Sequence, residues 1–391
     1  MGASGGDIFA NMKDGFRWHP GARVFDGRGR EFGLPGAGSA VIDERPAGVA
    51  LGQAIAAGVF RVGGAGAAPV AGFETLTSGS TGVPRRIARG HGSWVASFQV
   101  NAGLFGIGPG VRVAVLGRLT QSLALYGAVE GVHLGAEVHL LDDLRPDRQR
   151  RVLAARGVGV VYATPAQMRM LIEAGGAQLG LRCVLIGGSK LDARLRAAIL
   201  AMSPGVQLHE FYGAAEASFI TLAGHGCPEA SVGRAYPGVE ISIEAGEIWV
   251  RSPYLFDRYA GEGGGAVWRD GWLSVGERGA MREGFLYLHG RAGRMVTVAD
   301  QNVFPEEIEA FLAGLPGVER VAVVPRADAL RGVHLVAVLR GDARQEAAIL
   351  RAARGVLGAL KSPKAVIWVQ DWPVLASGKT DLRRIMVEVG G

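Results

Sequence analysis

Between residues 111 and 212, apolar runs of four or five residues alternate with longer stretches in which apolar positions recur every three or four residues. The first pattern predicts buried strands and the second helices. Strands are expected at 112–116, 137–141, 158–162, 182–186 and 206–212. Helices are expected at 119–134, 146–155, 165–174 and 192–202. Pro165 stands near the first position of one helix and Asp192 at the N-cap of another. Upstream the pattern is weaker, with a short amphipathic helix at 45–60 and a Gly/Ala linker at 63–69. From about Ser231 the period drops to two, with Gly246 at a turn, and segments 271–291 continue as strands. Beyond 293, Pro305 opens a helix, strands follow at 318–324 and 333–339, then a helix at 343–360 and a strand at 365–369.

Strands alternating with helices imply an α/β fold with a mainly parallel, helix-covered sheet. The expected organisation is a large N-terminal domain at 1–290, with its α/β core at 70–230 and a small antiparallel or barrel part at 231–290. A hinge follows at 291–293, then a small α+β C-terminal domain at 294–391. A length of 391 residues agrees with two domains.

Composition narrows the function classes. An apolar fraction of 48% and a charged fraction of 20% fit a globular protein. The longest apolar stretch, 111–141, is broken by Arg118 and Glu130, so no membrane span is expected. The N-terminus shows no basic region followed by an apolar one, and position 6 is Gly where a myristoylation motif has Ser or Thr. Cys183 and Cys227 are too few for a disulfide framework, and His225 and Cys227 lack a second ligand pair for zinc. A cytoplasmic location follows as the expectation. The net charge is +6, carried almost wholly by Arg, with no basic run interleaved with aromatics. Nucleic acid is therefore not the expected partner, whereas a phosphorylated ligand or an acidic partner suits such a surface.

Candidate chemistry begins at 77–85, TSGSTGVPR, directly after the apolar run 73–76. Gly79 and Gly82 let backbone N–H groups approach a ligand, Ser78, Ser80 and Thr81 add hydroxyls, and Arg85 adds a cation. Together they suit a polyphosphate. The stretch is not a Walker A loop. SGKT at 377–380 is not one either, because Pro373 stands where the first Gly belongs.

Six further stretches follow in order: FYGAAE at 211–216, GEIWVRSP at 246–253, GWLSVGERG at 271–279, GRAGRMV at 290–296, NVFPEEIE at 302–309 and PVLASGKTDLR at 373–383. With TSGSTGVPR, they resemble the AMP-forming acyl- and aryl-CoA synthetases, the adenylate-forming ligases, over roughly residues 70–391. That resemblance implies a two-step reaction. A carboxylic acid and ATP·Mg²⁺ give acyl-AMP and pyrophosphate, and a pantetheine thiol, of CoA or of an acyl carrier protein, then displaces AMP. The small C-terminal domain is expected to rotate between the steps.

The resemblance also implies roles. Thr77, Ser78, Gly79, Ser80, Thr81, Gly82 and Arg85 would hold the β- and γ-phosphates, with Arg85 in place of the usual Lys. Tyr212 would stack on adenine opposite Gly187, Gly188 and Ser189, beside Gly213 and Ala214. Glu216 would be the Mg²⁺ carboxylate. Glu277 would bind the ribose in place of the usual Asp, and Arg291 would contact ribose and phosphate. Lys379 would bridge the acid and the α-phosphate. Gln121 and Gly213 would line the acyl pocket, shaped also by 162–165 and 218–221. Ala215 replaces a Thr that contacts the α-phosphate, and such a contact contributes about 1.5–3 kcal/mol. The segment before the loop is shorter than the family's, which implies a more open acyl pocket or a covering partner, a second copy of the chain being one candidate. Two alternatives stay open: an adenylate passed to a non-thiol acceptor, and a weakened enzyme acting as a nucleotide-binding module.

Overall fold

The computed structural model describes residues 15–63, 67–77, 85–261, 264–298, 301–328, 332–375 and 378–389. Its largest layer is a nine-stranded sheet. Strands Gln207–Ala214, Cys183–Ile186, Val160–Ala163, Arg112–Val115, Glu137–Leu140 and Arg23–Asp26 lie side by side in parallel. Antiparallel strands close both edges: Ser218–Ala223 and Arg234–Ala235 at one, Glu31–Phe32 at the other.

The two-residue period of each parallel strand divides its side chains between two cores. Val113, Val115, Val160, Tyr162, Cys183 and Leu185 join the core that holds helices Gly92–Phe105 and Ser122–Leu134. Ala114, Val161, Ala163, Val184 and Ile186 join the one built with Pro146–Ala155, Pro165–Glu173 and Ala193–Met202. Runs apolar at every position are what a sheet buried on both faces requires.

A second sheet orders Arg258–Tyr259, Arg86–Arg89, Phe73–Leu76, Phe60–Val62 and Val41–Ile42. The strands upstream of 63 are thus elements that the pattern leaves unread. Helix Ala47–Ala57 replaces the expected 45–60, and Phe60 belongs to a strand. Phe16, Phe60 and Phe73 pack with Trp94 and Phe98 into one aromatic cluster.

The period-two region forms a six-stranded antiparallel sheet that stays open, so the barrel alternative does not hold. The C-terminal unit sets strands Val318–Asp328, Gly332–Gly341 and Ala365–Trp368 against helices Pro305–Ala313 and Glu346–Lys361. Hairpin Val296–Val298/Gln301–Val303 and helix Leu382–Glu388 complete it. Among the described residues no helix is long and apolar enough to cross a membrane.

Candidate active site

The carboxyl ends of the parallel strands converge on one cleft, the usual ligand position in such a sheet. Gly187–Ser189 follows strand Cys183–Ile186, Thr164 follows Val160–Ala163, and the loop 117–121 follows Arg112–Val115. Strand Gln207–Ala214 brings Tyr212 and Gly213 to the same end, with a register shift between them. Gly213 is demanded there, because a Cβ would stand 1.9 Å from the Ser218 carbonyl oxygen.

A cavity of about 360 Å³ opens in the cleft. Trp94, Tyr126, Phe211 and Phe219 supply its rings; Gln121, Gly213, Ala214, Ala215, Thr164 and Ser218 are also part of the wall. Gln121 reaches this wall from the N-cap of helix Ser122–Leu134. Of the other stretches expected to shape this wall, Thr164, Ser218 and Phe219 do so. Tyr162 instead donates to the buried Glu130, and Thr221 donates to the Val232 carbonyl. Ser122 donates to the Leu76 carbonyl at 3.0 Å and Ser218 to that of Tyr254 at 3.1 Å. The protons of both hydroxyls are thus committed to the protein.

The phosphate-loop residues Ser78, Gly79, Ser80, Thr81 and Gly82 lie outside the described residues. Both feet of the loop are described. Thr77 N donates to the Arg85 carbonyl at 2.7 Å, and Arg85 N donates to Thr77 Oγ1 at 2.9 Å. Strands Phe73–Leu76 and Arg86–Arg89, which adjoin these feet, pair antiparallel.

Four charged side chains meet beside the cavity. Tyr212 donates its hydroxyl to Glu277 Oε2, and Arg291 Nε donates to Glu277 Oε1 at 3.1 Å. Burial, then the Glu277 charge, raises the Tyr212 hydroxyl well above its ordinary range. Glu216 accepts from the Tyr259 hydroxyl at 2.9 Å through Oε1. Lys379 lines the cavity from the C-terminal unit. A turn delivers it: Gly378 N donates to the Leu375 carbonyl and Leu375 N to that of Lys379, both at 2.8 Å. Burial first, and Arg291 second, lower the Lys379 pKa to about 8, against the opposing pull of Glu277 and Glu216.

These groups suit a nucleotide and a hard cation. Among the described residues no three His, Cys, Asp or Glu side chains cluster as a metal cage. A lone carboxylate such as Glu216 fits Mg²⁺ carried by a triphosphate, where phosphate oxygens and water complete the shell. Gly188, with φ +101° and only Thr164 and Lys379 atoms near its missing Cβ, leaves backbone bare for a flat ligand. Ser189 is exposed beside it. The sequence reading missed Trp94, Tyr259 and the buried Arg89. Tyr259 and Arg89 carry no spacing that ties them to this cleft.

The family model described as AMP-binding enzyme matches residues 74–260, and that for the AMP-binding enzyme C-terminal domain matches 307–379. An uncharacterized acyl-CoA ligase of Bacillus subtilis (strain 168), YhfT, is 34% identical over 332 residues, 80% of this chain and 67% of its own length. The chain belongs to the AMP-forming ligase family. Another member, the 3-hydroxybenzoate–CoA ligase of Aromatoleum sp. (strain CIB), is 30% identical over 80% of this chain and 65% of its own. Relative to both ligases, the chain spans about two thirds of their length. The crystal structure of ATP-bound MatB from Rhodopseudomonas palustris shares the ligase fold, with a TM-score of 0.77 at 19% identity over 98% of this chain and 99% of that one.

Proposed function

We propose that this ligase activates a carboxylic acid as acyl-AMP and passes the acyl group to the thiol of CoA. The observation that carries the reading is Lys379, half-buried at the cavity wall within the electrostatic reach of Arg291, Glu277 and Glu216. In the first step a carboxylate oxygen attacks the α-phosphorus and the bond to pyrophosphate breaks. Both reactants are anions, so a cation fixed between them lowers the barrier. The Lys379 ammonium has that place. Thr77–Gly82 and Arg85 would hold the β- and γ-phosphates, and Glu216 would hold Mg²⁺, which would supply charge screening for the phosphates. Glu277, oriented by Tyr212 and Arg291, takes the ribose hydroxyls. Tyr212 and Gly187–Ser189 flank the adenine.

In the second step the thiol attacks the acyl carbon and AMP leaves. Lys379 has no part in that chemistry, so the C-terminal unit is free to turn about 291–293. Gly293 has nothing within 4 Å of its missing Cβ, and hinge motions need only a few such residues.

The cavity also bears on the acid. Its rings favour an aromatic or compact apolar tail. Arg118, at the rim, already pairs with Glu44. A second carboxylate on the acid would then meet no uncommitted cation among the described lining residues.

The experiment is acid-dependent exchange of labelled pyrophosphate into ATP across benzoates, short and medium fatty acids and dicarboxylates, followed by CoA addition. Exchange with aryl or apolar monoacids and thioester formation support the reading. Exchange without thioester moves the acceptor to a carrier protein or a non-thiol nucleophile. ATP binding without exchange would make the chain a nucleotide-binding module.

A further inference from the structure

Strand Arg86–Arg89 leaves the phosphate loop and ends on an arginine that points into the protein. Arg89 is 1% exposed. Its guanidinium donates to neutral oxygens: the Tyr254 carbonyl at 2.8 Å, Ser93 Oγ at 3.1 Å and the Ala215 carbonyl. No carboxylate lies within ion-pair distance among the described residues. Burying a charge this way opposes folding unless every contact is well made. Burial lowers its pKa to about 10, and the carboxylates of Glu216, then Asp257, act in the other direction. Arg89 therefore places a positive charge behind the Ala215–Glu216 peptide.

Tyr259 approaches from the other side. Its strand pairs with Arg86–Arg89, Tyr259 opposite Ile87 and Arg258 opposite Ala88. Its hydroxyl reaches Glu216 Oε1 at 2.9 Å, while Phe256 N donates to the Glu216 carbonyl at 2.7 Å. A Cβ on Gly264 would stand 2.1 Å from the Tyr259 ring, so the ring is closely packed.

We propose that Arg89 and Tyr259 are positioning residues for Glu216: Arg89 pins the peptide before it, and Tyr259 fixes the carboxylate through one oxygen, leaving Oε2 for the metal-bound triphosphate. Both anchors belong to the paired strands that also carry one foot of the phosphate loop. Arg85, that foot of the loop, and the Glu216 carboxylate are thereby held in one frame, and neither anchor lines the cavity. The inference rests on Glu216 as the metal carboxylate, and the test separates the two claims.

ATP binding to the full chain, without acid, is measured calorimetrically with Mg²⁺ and with EDTA for wild type, Tyr259→Phe, Arg89→Lys and Glu216→Gln. The ratio of the two affinities is the readout. Tyr259→Phe and Arg89→Lys are each expected to cut that ratio by about tenfold, with metal-free affinity held within about twofold. A merely structural role would weaken both affinities alike, or lower the melting temperature with the ratio unchanged; either result overturns the proposal. If Arg89→Lys does not fold, Tyr259→Phe, which removes one oxygen atom only, decides. A ratio lost in Glu216→Gln but intact in Tyr259→Phe rejects the positioning role alone. A ratio unchanged in Glu216→Gln rejects Glu216 as the metal carboxylate, and the proposal with it.

Discussion

Lys379 Cε lies 3.8 Å from the point where a Gly188 Cβ would stand, so the C-terminal unit places its lysine against the bare backbone after strand Cys183–Ile186. Gly188 has φ +101°, a conformation that L side chains rarely adopt. Gly188→Ala adds backbone strain of about 1–3 kcal/mol and a methyl group against both Lys379 and Thr164. The expected outcome is a pyrophosphate-exchange rate lowered about tenfold or more, with ATP affinity changed less. Parallel rate and binding measurements check it.

The depressed Lys379 pKa sets a pH dependence. The ammonium is present below about 8 and is lost as pH rises through that value. kcat/KM for adenylation should therefore fall on the alkaline side, with its limb near 8, since this parameter reports the free enzyme. Saturating ATP should move the limb in kcat upward, because the triphosphate favours the charged lysine. A profile flat from pH 7 to about 9.5 contradicts the assignment.

Glu130 gives a stability prediction away from the chemistry. It is fully buried; Asn101 Nδ2 donates to it at 2.7 Å and the Tyr126 hydroxyl at 3.1 Å, with the Tyr162 hydroxyl on the other oxygen. Burial raises its pKa to about 7. Between an ordinary carboxyl value near 4.5 and 7, the folded chain binds a proton that the unfolded chain has released. Stability should thus fall as pH rises through this window and level off above it, by at most about 3 kcal/mol. Chemical denaturation of wild type and Glu130→Gln from pH 5 to 8 checks this. The difference between the two should narrow or reverse as pH rises, and parallel curves contradict it.

Much of this architecture was legible because punctuation and period agreed. Helix Pro146–Ala155 matches its expected limits, and Asp192 caps Ala193–Met202 by accepting from Leu195 N at 2.7 Å. Helix Gly92–Phe105 was missed because its buried face is mixed: Ser97 and Asn101 sit between Trp94, Phe98 and Phe105 and hide the apolar stripe. Strands of two to four residues near the N-terminus are too short to show a period, as Val41–Ile42 illustrates.

The site divides in the same way. Motifs single out Lys379, Glu277, Arg291 and Tyr212, and the structure brings them together although 167 positions separate the outermost pair by residue number (379 − 212). Arg89 was not, because an arginine within RRIARG reads as surface; only the fold shows its acceptors on Ala215 and Tyr254. Glu130 registered only as a charge that breaks an apolar run. Its partners come from other elements, and the sequence carries no sign of them.

The most direct test of the account is Lys379→Ala, assayed in two halves. Acid-dependent exchange of pyrophosphate into ATP should be lost, while thioester formation from supplied acyl-AMP and CoA should largely survive. Wild-type exchange in this variant would contradict the account at its centre.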